Sequence, residues 1–145
     1  MCGIFEKIKR IFVKGEVPNN PGVSKRILTI EDDPIQRTMI QRTLAKRGYS
    51  VITSQNGQEG LDIAFKEKPD LILLDVMMPG MRGDDVCRKL KANIQTKDIP
   101  VIFLTSLDTP KDVIEHYDVG ADIHLTKPVN PKELISQVEI SLGLK

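Results

Sequence analysis

The hydrophobic positions change period along the chain. In residues 1–14, Ile4, Phe5, Ile8, Ile11 and Phe12 recur at helical spacing, with Lys7, Lys9, Arg10 and Lys14 between them. That pattern predicts a short basic amphipathic helix. A helix this short is marginal alone in water and needs a surface to lie on. Residues 15–25 follow with Pro18, Pro21, Gly15, Gly22, Asn19 and Asn20, the composition of a linker. From residue 26 onward, short apolar runs alternate with helical segments.

The first run, Arg26–Glu31, is rich in β-branched residues and predicts a strand. Asp33 and Pro34 supply an N-cap and a first helical residue, and Gly48 supplies the stop. Tyr49–Ser54 predicts a second strand. Asn56 with Glu59 reads as a capping box for a helix ending before Pro69. Asp70–Asp75 is a continuous apolar run, as a strand buried on both faces requires. A third helix is expected over Asp84–Lys91, a fourth strand over Pro100–Leu104 and a fourth helix over Pro110–Val119, stopped by Gly120. A short fifth strand, Ala121–Leu125, precedes a last helix opened by Asn130, Pro131 and Glu133 and ending near Leu142. Five β-α units in succession imply an open parallel sheet with helices on both faces and right-handed crossovers.

Composition changes this picture little. Of 145 residues, 40% are hydrophobic and 4% aromatic, with no Trp, so the core is aliphatic and base-stacking platforms are not expected. The net charge of +1 points away from a dedicated nucleic-acid binder. It divides unevenly: residues 1–25 carry +3 and the remaining 120 carry −2. Cys2 and Cys87 make neither a disulfide framework nor a metal site, which suits a reducing, cytoplasmic setting. Cys87 reads as a small core residue. No apolar run is long enough to span a bilayer, and charges interrupt any signal-peptide pattern at the start.

Parallel α/β sheets place their sites at the carboxyl ends of the strands. There the chain sets Glu31-Asp32-Asp33, Asp75, Thr105-Ser106 and Lys127-Pro128. Each alone has an ordinary reading as a turn, a cap or a surface charge. Together they deliver carboxylates, a hydroxyl and an ammonium to one sheet edge. Clustered carboxylates repel unless a cation joins them, and Mg²⁺ takes one or two carboxylates while bridging to phosphate. Asp75 beside such a cation is a candidate nucleophile toward phosphorus, giving an acyl phosphate. Lys127 is suited to offset charge on the phosphoryl oxygens, and Thr105 to bond one of them.

The acidic pair Glu31-Asp32, the run Asp75-Val76-Met77-Met78-Pro79-Gly80-Met81-Arg82-Gly83, Leu104-Thr105-Ser106 and Lys127-Pro128 resemble the receiver domain of two-component response regulators. The resemblance covers residues 26–145. It implies a doubly wound, flavodoxin-like α/β sheet in the order 2-1-3-4-5, with Asp75 as phosphoacceptor. Mg²⁺ would be held by Asp32, Asp75 and the backbone carbonyl of Met77, with Glu31 acting mainly through water. Thr105 and Lys127 would be the family's hydroxyl and lysine, and the Lys127-Pro128 bond would be cis and site-shaping. The family's switch position on the fifth strand, usually Tyr or Phe, is here His124. It reads first as a partly exposed strand residue and second as a pH-sensitive one. His116, in the fourth helix, is expected to be solvated. Met77 and Leu107 are apolar where the family's hydrolytic water passes, which implies a long-lived aspartyl phosphate.

These residues suggest a single-domain response regulator, phosphorylated by a histidine kinase or phosphotransfer protein and signalling to a downstream protein target without nucleic-acid contact. A receiver-like binding module that is never phosphorylated stays open. A haloacid-dehalogenase-type phosphatase is disfavoured because Met77 stands where a second acid belongs, and no dinucleotide-binding glycine motif follows the first strand. For residues 1–14, self-packing or partner docking ranks ahead of membrane contact.

Overall fold

The computed structural model describes residues 24–106 and 110–144. The expected helix and nearly all of the linker before residue 26 lie outside these residues, as does Leu107. Ten elements alternate: β1 (Arg26–Ile30), α1 (Pro34–Lys46), β2 (Ser50–Ser54), α2 (Gly57–Glu67), β3 (Leu71–Asp75), α3 (Gly83–Lys91), β4 (Val101–Thr105), α4 (Pro110–Asp118), β5 (Ile123–Thr126) and α5 (Pro131–Ser141). All four strand pairings are parallel, and the order across the sheet is β2-β1-β3-β4-β5. No helix among the described residues is long and apolar enough to cross a membrane.

The caps explain the helix starts. The Asp33 side chain accepts from the Ile35 N–H, Asn56 from Glu59, and Asn130 from both Lys132 and Glu133. Two strands, β3 and β5, begin later than expected. Asp70 and Asp122 lie outside the strands because each carboxylate caps a neighbouring strand's first N–H. Asp70 Oδ2 takes Arg26 N at 2.8 Å, and Asp122 Oδ2 takes Val101 N at 2.8 Å. Ala121 is held back by the end of α4, donating to His116 O at 3.2 Å.

Strand alternation divides the core into two layers. Leu28, Ile30, Ile72, Leu74 and Phe103 face Leu61 and Ala64 of α2 and Val86, Cys87 and Leu90 of α3. Ile27, Leu71, Leu73, Ile102 and Leu104 face Ile40 and Leu44 of α1 and Leu134 and Val138 of α5. Every residue of β3 and β4 is buried, which matches their unbroken apolar runs. Each fully buried Leu or Ile contributes about 1.5–3 kcal/mol, so the central strands are held rigidly. That rigidity fixes the residues at their carboxyl ends.

Candidate functional site

β1 and β3 are neighbours whose onward connections leave in opposite directions, so a crevice opens between their carboxyl ends. Ile30 pairs with Leu74, which sets Glu31 beside Asp75. Glu31 N donates to Ser54 O at 3.0 Å, tying the strand end to β2. The turn after it is clamped by Arg37, whose Nη1 donates to the carbonyls of Glu31 at 2.8 Å and Asp32 at 3.3 Å. Sequence reasoning did not single out Arg37. Its signal is a long cation in the first turn of the helix that follows the acidic pair.

Glu31 and Asp75 are buried and Asp32 is half-buried. One oxygen from each of the three carboxylates lies within 4.8 Å of the others. Lys127, just beyond β5, reaches across β4 and β3. Its Nζ lies 2.8 Å from Glu31 Oε1 and 3.1 Å from Asp75 Oδ1. A further Asp75 contact is local: Met77 N donates to Asp75 Oδ1 at 3.3 Å. Burial pushes the Asp75 carboxyl up to about 6, the neighbouring Glu31 adds to the rise, and Lys127 opposes it. Asp32 is raised for the same reasons, burial first and Asp75 second. Lys127 is raised: burial works against its charge, but Glu31 and Asp75 outweigh burial.

One ammonium thus serves three acids. Glu31 Oε2 is buried with no hydrogen-bond partner among the described residues. A buried carboxylate oxygen in that state is costly unless a cation reaches it. The donor set is all hard oxygen, in the chemistry that Mg²⁺ or Ca²⁺ takes. The residues present therefore fit a hard divalent ion.

The loop from Val76 to Arg82 shapes the rim. Gly83 N donates to Val76 O at 2.9 Å. A Cβ at Gly83 would run into the carbonyl oxygen of Asp75, so only glycine lets α3 start this close to the acid. Met77 is exposed beside Asp75, and Arg82 Nη1 sits 3.2 Å from its sulfur. Thr105 is buried at the end of β4, one residue past the Leu104 that pairs with Asp75. The Lys127-Pro128 peptide bond is cis, and Pro128 itself is exposed.

Two further residues of the sequence reading stand apart from the acids. His124 is half-buried in the middle of β5. His116 is not solvated, contrary to expectation: it is 4% exposed and its Nδ1 lies 2.8 Å from that of His124. A polar residue on a short helix reads as outward-facing, and the second histidine that welcomes it inward is eight residues away on a strand. Cys87 lies in the core as expected, where burial pushes its thiol up to about 11.

Comparison with known proteins bears on the same residues. The family model of the response regulator receiver domain matches residues 27–139. The chain is 39% identical over 120 residues to the alkaline phosphatase synthesis transcriptional regulatory protein PhoP of Bacillus subtilis, covering 83% of this chain and 49% of that protein. It is 40% identical over 117 residues to the DNA-binding dual master transcriptional regulator RpaA of Synechocystis, covering 81% and 48%. The chain spans about half the length of these curated relatives. Among solved structures, the chemotaxis protein CheY4 of Vibrio cholerae superposes with a TM-score of 0.79 at 33% identity, covering 82% of this chain and 99% of that one.

Proposed function

The chain belongs to the response-regulator receiver family, a family of phosphoacceptor signalling domains, and from that premise we propose that Asp75 accepts a phosphoryl group from a histidine kinase or a phosphotransfer protein. The observation that carries this reading is the buried Asp75 carboxylate with Lys127 Nζ at 3.1 Å and two further acids around it. In the transfer, an Asp75 oxygen forms the new O–P bond. The N–P bond of the donor phosphohistidine breaks, and its electron pair stays on the imidazole nitrogen.

Asp32, Asp75 and the Met77 carbonyl are assigned to hold Mg²⁺, with Glu31 acting through water. The ion supplies charge neutralisation for the phosphoryl oxygens. Lys127 would add a second positive charge beside Asp75, already oriented by Glu31. Thr105 bonds a phosphoryl oxygen once one is present, which passes the state of Asp75 to β4 and α4. The output assigned to the receiver is a contact with a downstream protein target.

Labelling with acetyl phosphate or a phosphorylated kinase tests the reading. Label on the wild type that vanishes in Asp75→Asn and on chelation of Mg²⁺ supports it. No label on the wild type overturns it in favour of a receiver-like binding module. Label that survives in Asp75→Asn displaces the acceptor to another residue. Exposed, apolar Met77 beside the acceptor leads us to assign a long-lived aspartyl phosphate. A half-life of only seconds in purified protein with Mg²⁺ would remove that assignment.

A further inference from the structure

α4 is fastened to β5 by two imidazoles. His124 pairs with Phe103 of β4 in register, so both side chains leave the same face of the sheet. His116 comes down onto that face from α4. Its Nδ1 lies 2.8 Å from the Nδ1 of His124, with 4.9 Å between the ring centroids and 22° between the ring planes, so the rings meet edge to edge. The edge of the pair is closed by Phe103, perpendicular to His116 at 4.9 Å. Among the described side chains of α4, His116 is the buried one, whereas Ile114 and Tyr117 are 61% and 48% exposed.

Two Nδ1 atoms at this distance hold one proton between them. One ring donates its Nδ1–H and the other accepts through a bare nitrogen. A neutral pair satisfies the contact, and so does a pair carrying a single charge. A doubly protonated pair cannot, because two N–H groups then point at each other and two positive charges meet in a buried space.

We propose that His116 and His124 form a proton-operated latch: it holds α4 on β5 while at most one ring is charged, and it releases α4 when both rings are protonated. The consequence for signalling rests on the receiver reading above, which makes the α4–β5 face the one that reports on Asp75. Acidification then shifts that face toward its released form without phosphorylation.

The charged groups facing His116 are Asp84 of α3, Asp112 and Glu115 of α4, and His124 of β5, while β4 contributes the uncharged Phe103. Burial first and His124 second lower the readiness of His116 to take a proton, and the three carboxylates oppose this more weakly. A depressed folded-state value means that the latch contributes fully above the ordinary histidine range. Its contribution is lost as the pH falls through the lowered value.

Hydrogen exchange of the α4 amides in the full 145-residue chain at saturating Mg²⁺ tests the latch. Rates are compared at about pH 7.5 and about pH 5, after correction for the intrinsic pH dependence of exchange. The expected result is about a tenfold loss of α4 protection in acid for the wild type. His124→Phe removes that loss. So does His116→Asn, whose side-chain amide reaches the place of Nδ1 without titrating and covers the case where the Phe variant folds poorly. Ring titration by NMR should show His116 below the free-histidine value and rising in His124→Phe. Unchanged wild-type protection, the same loss in both variants, or two rings titrating independently at the ordinary value overturns the proposal. Asp75 is intact throughout and its phosphorylation is not the readout, so failure of the latch and failure of the receiver reading are separate results.

Discussion

Two clusters of buried ionisable groups among the described residues are neutralised in two different ways. At the carboxyl ends of β1, β3 and β5, three carboxylates face one ammonium, and the excess negative charge is left for a cation. At the far side of the sheet, between β5 and α4, two like imidazoles face each other and share one proton. The acids of the first cluster stand at the ends of β1 and β3, whose residues are all buried apart from the half-buried Arg26. The second joins an edge strand to a helix that shows most of its side chains to solvent. A rigid base suits a site that must hold reacting atoms in place. A lightly packed edge suits an element whose position is to change. The two clusters lie on one sheet, with Thr105 at the end of β4 between them.

Several substitutions sharpen or break this contrast. Lys127→Met removes the cation that pairs with both the Glu31 and the Asp75 carboxylate. Metal-free protein should lose about 3 kcal/mol, near the low end for breaking a buried pair because the lysine side chain is 22% exposed. Its Asp75 labelling rate should fall about 100-fold, the scale of losing one charge-stabilising group. Urea unfolding in chelator and a labelling time course check both. If the variant labels at the wild-type rate, Lys127 is merely structural.

Gly83→Ala is the next largest. Its Cβ meets backbone of Asp75 and Val76, which has less freedom to move than a side chain. Strain of about 2 kcal/mol is expected, with slower phosphorylation because Asp75 shifts. Thermal unfolding alongside labelling measures both, and unaltered values would show that α3 can start elsewhere.

Asp75→Asn goes the other way. A carboxyl raised from 3.8 to about 6 destabilises the folded state when ionised. Its contribution is fully favourable below 3.8 and is lost as the pH climbs through about 6. Metal-free Asp75→Asn at about pH 7.5 should therefore be more stable than the wild type by about 1–2 kcal/mol. Saturating Mg²⁺ should erase the difference by stabilising only the wild type. A less stable Asn variant in chelator would mean that Lys127 already compensates Asp75 in full.

The smallest effect serves as the control. Arg88→Ala removes an exposed ion pair with Asp85, 2.8 Å apart on the surface of α3. A change below about 0.5 kcal/mol is expected in the same urea assay. A larger loss would mean that surface charge matters here as much as the buried clusters.

Much of the site was readable before the fold because strand ends are marked locally. Apolar runs stop where Glu31, Asp75, Thr105 and Lys127 begin, and parallel topology brings such ends together. Arg37 was not readable as part of the site, and Gly83 was readable only as the last residue of a motif run, without its steric role. The role of Arg37 depends on the path of two carbonyls, and that of Gly83 on how closely α3 approaches Asp75. Asp70 and Asp122 read as strand or turn residues, yet each caps a strand other than the one beside it in sequence. The inward turn of His116 depends on a partner eight residues away.

By itself, the order of residues determined the alternation of elements, the two-layer core and the row of polar groups at one edge of the sheet. Those follow from period, caps and burial, which act over a few neighbouring residues. Tertiary structure alone decided that Lys127 stands between Glu31 and Asp75, that Glu31 keeps a buried oxygen without a hydrogen-bond partner among the described residues, and that two histidines meet through their Nδ1 atoms. Each of these depends on distances of about 3 Å between residues from different elements, and at that range charge and hydrogen bonding are set by packing.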